Sequence, residues 1–251
     1  MQDVTTPIVV GIDGSAHSDR ALRWAVREAQ LRNVTLTLVH GYVADSITSA
    51  SSLAAEELAR RLVHDVVARH RPLLEELPDH DTVVAPASHA ADALLDAGRH
   101  SQLIVVGTRG LGGFSELLLG STSHRVLTHA AVPVALIRST TTEPASTAED
   151  RDGQRPIVVG VDASPESDTA LRWAVDEACL RGVGMLAVHG LDLPDPSTLR
   201  VLGLPVELIA TRLAEARAAA RDEIDALLHR AQPVTGEMRM DRVIDDGAPV
   251  A

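Results

Sequence analysis

Chemistry in this chain concentrates between Leu103 and Arg125, LIVVGTRGLGGFSELLLGSTSHR. Four apolar residues, Leu103 to Val106, form a short buried-strand run. A glycine-rich turn carrying Gly107, Gly110, Gly112 and Gly113 follows, and a helix opens at Gly120-Ser121. Glycines allow backbone N–H groups to approach an anion closely, and a helix N-terminus adds unpaired donors with a partial positive charge. Ser121, Thr122 and Ser123 place hydroxyls at the same point. The pattern predicts a phosphate site, although glycines after a parallel strand also make a plain strand-to-helix turn. A second chemical feature is Asp13, a lone carboxylate ending the apolar run Ile8 to Ile12.

These residues need elements to hold them. The first run, Ile8 to Asp13, precedes a helix whose apolar positions Ala21, Leu22, Ala25, Val26 and Ala29 keep helical spacing, with Ser15 or Ser18 as its cap. The second strand is read at Val34 to His40, followed by a long helix from about Leu53 to Leu77 that Pro78 stops. A weak third strand at Asp81 to Ala85, a helix at Ala90 to Gly98, the fourth strand at Leu103 to Gly107, a helix at Ser121 to His129 and a fifth strand at Val132 to Ile137 complete the unit. Alternation at this spacing predicts an α/β fold: an open, doubly wound parallel sheet with helices on both faces. In strand order 3-2-1-4-5 the order reverses between strands one and four, where ligands bind beyond the carboxyl ends. Asp13 and Gly107 are therefore expected to meet, with His40, Gly41 and Tyr42 bordering the same crevice.

Residues 139–156 are polar, with two prolines and no periodicity, and read as a linker. The chain then begins again: IVVGVDASPESDTALRWAVDEACLRGVGMLAVHG from Ile157 repeats the stretch from Ile8, with roughly two thirds of positions identical. Asp162 matches Asp13, Trp173 matches Trp24 and His189 matches His40. The second copy continues through a helix near Val206 to Ala231 and a strand near Met238 to Ile244. It lacks counterparts of the fourth strand, the glycine loop and the fifth strand. The expected domains are thus 1–138 complete, and 157–251 truncated with its first strand left as an exposed apolar edge.

Gly107-x2-Gly110-x9-Gly120-Ser121 resembles the ATP-binding signature of the universal stress protein family, and the tandem arrangement resembles its two-domain members. The resemblance implies an adenosine contact at Asp13, with Gly11 and Ile12 leading into it, and at the backbone of Gly41. It implies ribose and phosphate contacts at Gly107, Gly110, Gly120 and Ser121, with Thr122 and Ser123 beside them. Arg109 either reaches a phosphate or points to water, and Asp13 either serves the ligand or caps its own turn. The resemblance further implies ATP as the ligand, a divalent ion such as magnesium entering with it, and a homodimer through the fifth strand. A regulator or sensor of stress with slow or no ATP hydrolysis and an unidentified protein partner is the expected function; a scaffold with a vestigial site is the alternative.

Other classes fit less well. A phosphate-loop ATPase would need Gly-x4-Gly-Lys-Ser/Thr, which is absent. An enzyme cleaving ATP to AMP would want a Ser-Gly-Gly-x-Asp-Ser loop after the first strand, where Gly11-Ile-Asp-Gly-Ser-Ala stands. A phosphoacceptor domain needs clustered acids and a lysine, and the first copy has no lysine. The formal net charge of −12 argues against nucleic acid or an anionic membrane as partner. The histidines show no metal-ligand spacing, and His40 and His189 read as structural. No apolar run reaches membrane-spanning length, MQDVTTP leaves no room for a signal peptide, and Cys179 has no disulfide partner. A cytoplasmic protein is the expectation, with Cys179 a packed small residue.

Overall fold

The computed structural model describes residues 6–43, 49–109, 119–138, 155–162, 164–191, 205–231 and 238–245. The chain divides into two compact units, Met1–Thr141 and Thr142–Ala251.

In the first unit the elements run β1 (Ile8–Gly11), α1 (Ala16–Arg32), β2 (Leu36–Tyr42), α2 (Ser49–Leu74), β3 (His80–Pro86), α3 (Ala90–Ala97), β4 (Leu103–Gly107), α4 (Ser121–His129) and β5 (Val134–Ile137). The five strands form one parallel sheet in the order β3-β2-β1-β4-β5. The expected order is therefore the observed one, and its cause is visible in β1. Ile8 and Val10 enter a core with α1 and α2, including Leu22, Val26, Val63 and Val66, while Val9 enters a second core with Leu94 and Val126 on the opposite face. A strand covered on both faces cannot alternate apolar and polar, hence the continuous IVV run. The near absence of aromatics leaves these cores to Ala, Val, Leu and Ile.

Helix α1 starts where Ser15 Oγ accepts the Ser18 N–H, and stops at Asn33, whose left-handed φ of 53° turns the chain. Ser15, not Ser18, is thus the cap. Val34 N donates to Ala29 O, so Val34 belongs to this turn and β2 begins two residues later than expected. It also runs further: His40, Gly41 and Tyr42 pair with Val84, Ala85 and Pro86 and are strand, not loop. The third strand is correspondingly strong, paired over all seven residues. Helix α2 spans Ser49–Leu74, so it starts before its apolar periodicity does and ends ahead of Pro78; Pro72 lies within its last turn. Helix α3 passes at Gly98 into a single 3-10 turn, and β5 begins at Val134, because Pro133 lacks the N–H a strand would use.

The second unit carries β6 (Ile157–Gly160), α5 (Pro165–Arg181), β7 (Met185–Gly190), α6 (Val206–Arg230) and β8 (Met240–Asp245), with parallel order β6-β7-β8. Among the described residues its core matches the α1/α2 side of the first unit, centred on Val159, Leu171, Val175 and Met185. The other side of the sheet is open among the described residues: Val158 is 62% exposed and Val243 46%, whereas Val9, the counterpart of Val158, is 0%. Cys179 is exposed on α5, a correction to its expected packing, because α5 turns Ala178 inward and the next residue outward.

Candidate functional site

The register of β1 against β4, Val10 beside Val105, carries the chain ends past one another so that Asp13 emerges next to Thr108. Each end is then fixed by hydrogen bonds. Ile12 N donates to Val39 O at 2.9 Å, and His40 Nδ1 lies 2.7 Å from Ile12 O. A carbonyl oxygen only accepts, so Nδ1 carries the proton and His40 serves as a brace. His189 repeats it on Val161 O at 2.7 Å. Asp13 N donates to Ser18 Oγ, and Asp13 Oδ1 accepts the Ser15 N–H at 2.9 Å. The carboxylate therefore does cap its own turn, and in doing so is held at the mouth of the crevice.

On the β4 side, Thr108 N donates to Ile137 O, and Thr108 O accepts from Gly120 N at 2.8 Å, closing the glycine loop onto the start of α4. Gly120 is the N-cap of α4 and supplies no side-chain bond. Ser123 is buried, and its hydroxyl donates to Gly107 O at 2.6 Å, so its proton ties α4 to β4. Ser121 and Thr122 stand at the first two helical positions, Ser121 exposed, where the backbone N–H groups of an α-helix have no intrahelical acceptor.

Gly107 is glycine because of packing: a Cβ there would stand 2.8 Å from the backbone oxygen of His17. The start of α1 is thereby pressed onto the end of β4. His17 Nδ1 lies 3.4 Å from Thr108 Oγ1, and Arg109 is near enough to act on the His17 charge. Asp13 and Arg109 both act on the His17 charge, Gly107 packs against the His17 backbone, and the Thr108–Gly120 and Ser123–Gly107 hydrogen bonds hold the start of α4, with Ser121 and Thr122, against the end of β4. Gly11 ends β1 and Ile12 follows it, buried in the core just before Asp13. Gly41 lies one strand away, in the β2–β3 ladder rather than in a loop after β2. Gly110 lies outside the described residues. His17 and Thr108 were missed in the sequence. Thr108 carried a signal, a small polar residue directly after the first signature glycine; His17 carried only its place one turn beyond Asp13.

The second copy repeats the turn. Asp162 accepts hydrogen bonds from Ser164 Oγ, Ser167 Oγ and Ser164 N, which hold its pKa at about 2 against the usual 3.8. A depressed carboxylate stabilises the fold above its unfolded pKa and loses that contribution as pH falls through the folded value. Asp162→Asn is therefore expected to flatten the acid limb of a second-unit unfolding profile between pH 4 and 2; an unchanged limb would remove the turn from the acid response. No group of three or more potential metal ligands occurs among the described residues.

An open parallel sheet of order 3-2-1-4-5, reversing between β1 and β4, defines a Rossmann-like doubly wound α/β domain. The profile of the Universal stress protein family matches residues 5–138 and 154–249, and the chain belongs to that family. It is similar to a universal stress protein of Mycolicibacterium smegmatis, 35% identical over 196 residues, covering 72% of this chain and 63% of that one. A universal stress protein of Mycobacterium tuberculosis is 32% identical over 222 residues, covering 82% of this chain and 73% of that one. The chain thus spans 63% of the length of the first of these relatives. Among solved structures, a universal stress protein from Archaeoglobus fulgidus shares the fold with a TM-score of 0.62 at 18% identity, covering 97% of this chain and 79% of that one.

Proposed function

We propose that the first unit binds ATP in the β1/β4 crevice, one nucleotide per chain, and that the protein acts as a stress-response regulator or sensor with weak or no ATP hydrolysis. The observation carrying this reading is the convergence of the Asp13 turn with the segments that flank the glycine signature, Gly107–Arg109 and Gly120–Ser123, at the switch point. The N-terminus of α4 supplies backbone donors suited to phosphate, and Asp13 suits a ribose or adenine donor. Magnesium would arrive with the nucleotide. The sequence of the second unit, 157–251, joined through a linker at 139–156, carries no counterpart of the Gly107–Ser121 signature, and the nucleotide is assigned to the first unit. β5, the outer strand of the first sheet, offers its free edge to a second copy, making a homodimer. No helix among the described residues is long and apolar enough to cross a membrane, and a cytoplasmic location follows from the family reading.

The test is titration calorimetry of MgATP against the folded protein. Gly107→Ala is a poor control, because its Cβ would strike the His17 backbone and disturb folding. Ser121→Asp is better: an acid at the first turn of α4 favours the helix yet repels phosphate. We expect one ATP per chain for the native protein, with affinity reduced at least about tenfold in the variant, equivalent to ~1.4 kcal/mol. No binding by the folded native protein would turn the reading to a scaffold with a vestigial site.

A further inference from the structure

The chain contains no lysine, so a side-chain cation meeting phosphate here is arginine or protonated histidine. His17 is placed for that part. It is the second residue of α1, its backbone is pressed against Gly107, and its ring reaches toward Thr108 across the crevice. The charged groups facing it are Arg20 on its own helix, Arg109 after β4 and Asp13 after β1. Partial burial, then Arg20 and Arg109, push its pKa below 6.5, and Asp13 opposes them without prevailing. These influences favour the neutral ring. In the second copy the same position is Glu166.

We propose that His17 reads the charge of the phosphate chain: it takes a proton from solvent when a polyphosphate occupies the crevice, and stays neutral when an uncharged nucleoside does. The inference rests on the nucleotide reading above. Phosphate oxygens reverse the local field by offsetting Arg20 and Arg109, which favours imidazolium. No covalent bond is made or broken; one proton passes from buffer to the ring. Because the free ring titrates below 6.5 and the bound ring above its free value, ATP affinity rises as pH falls through the bound value. It levels off below the free value. The limit for uptake of one proton is about tenfold per pH unit.

The experiment is calorimetry of MgATP and of adenosine between pH 6.5 and 8, in two buffers of different ionisation enthalpy. Native protein, His17→Gln and His17→Glu are compared, each checked for folding by circular dichroism. ATP binding by the native protein should take up a fraction of a proton that adenosine binding does not. His17→Gln should bind ATP without that increment, the nucleotide's own titration being common to both. His17→Glu should lose at least about tenfold in ATP affinity, ~1.4 kcal/mol, and keep its adenosine affinity. ATP binding with equal proton uptake in the native protein and His17→Gln overturns the role of His17 and leaves the nucleotide reading standing. Failure of both ligands to bind the native protein overturns the nucleotide reading itself, and this inference with it.

Discussion

Gly41→Ala is expected to destabilise the first unit by about 1–3 kcal/mol, while Gly190→Ala, the same change at the matching position of the second copy, stays within about 0.5 kcal/mol. Gly41 lies one residue before the end of β2 and Gly190 ends β7, both in the shared sequence Val-His-Gly. At Gly41 a Cβ would stand 2.8 Å from Ala90 Cα and 2.9 Å from Ala90 O. Those are backbone atoms at the start of α3, so relief needs movement of the helix rather than rotation of a side chain. At Gly190 nothing described lies within 4 Å. Denaturant unfolding of the two variants beside the native protein measures the contrast. Equal costs at both positions would mean that a packed neighbour covers Gly190 in solution, and the open face assigned to the second sheet would be wrong.

The second large effect is in the cores. Leu22 is fully buried among Ile8, Val10, Leu36 and Val66, and its counterpart Leu171 is as deeply buried among Val159, Val175 and Met185. Leu22→Ala removes three carbons from a site walled by a sheet on one side and α2 on another, which leaves little room for collapse. The expected loss is about 2–5 kcal/mol, set by the cavity left behind, and Leu22→Met should lose less than about 1.5 kcal/mol. Leu171→Ala is expected to reach only the lower part of the alanine range, because among the described residues its sheet is covered on one face and can relax toward the other. Chemical denaturation followed by far-ultraviolet dichroism distinguishes these. A cost for Leu171→Ala well above that for Leu22→Ala would contradict the open-face account.

The sheet order was legible because each strand of the first unit is a compact apolar run and each connection is long enough for a helix. The convergence of Asp13 with Gly107 followed from that order alone. What escaped the sequence depends on how elements lie against one another. His17 looks like any polar residue near a helix start, and only the close approach of α1 to β4 turns it toward Thr108. Ser123 reads as a phosphate contact, yet burial spends its proton on Gly107 O. The end of β2 was drawn too early because Gly and Tyr resemble a loop, whereas pairing to β3 continues through Tyr42. The start of α2 was drawn too late because Ser49 to Ser52 carry no apolar period, and helix continuity rather than burial sets that boundary.

The duplicated Leu-Arg-Trp-Ala-Val segment gives each unit one tryptophan at the same helical position, and the chain has no others. Trp24 is packed against the first core, whereas Trp173 is 38% exposed. The two indoles therefore sit in surroundings of different polarity, and their emission and quenching by solutes differ accordingly. With one phenylalanine and one tyrosine in the whole chain, little else absorbs or emits in the near ultraviolet. Replacing either tryptophan by phenylalanine leaves a single native fluorophore, so that each half of the molecule can be watched alone, in the intact chain and without an added dye.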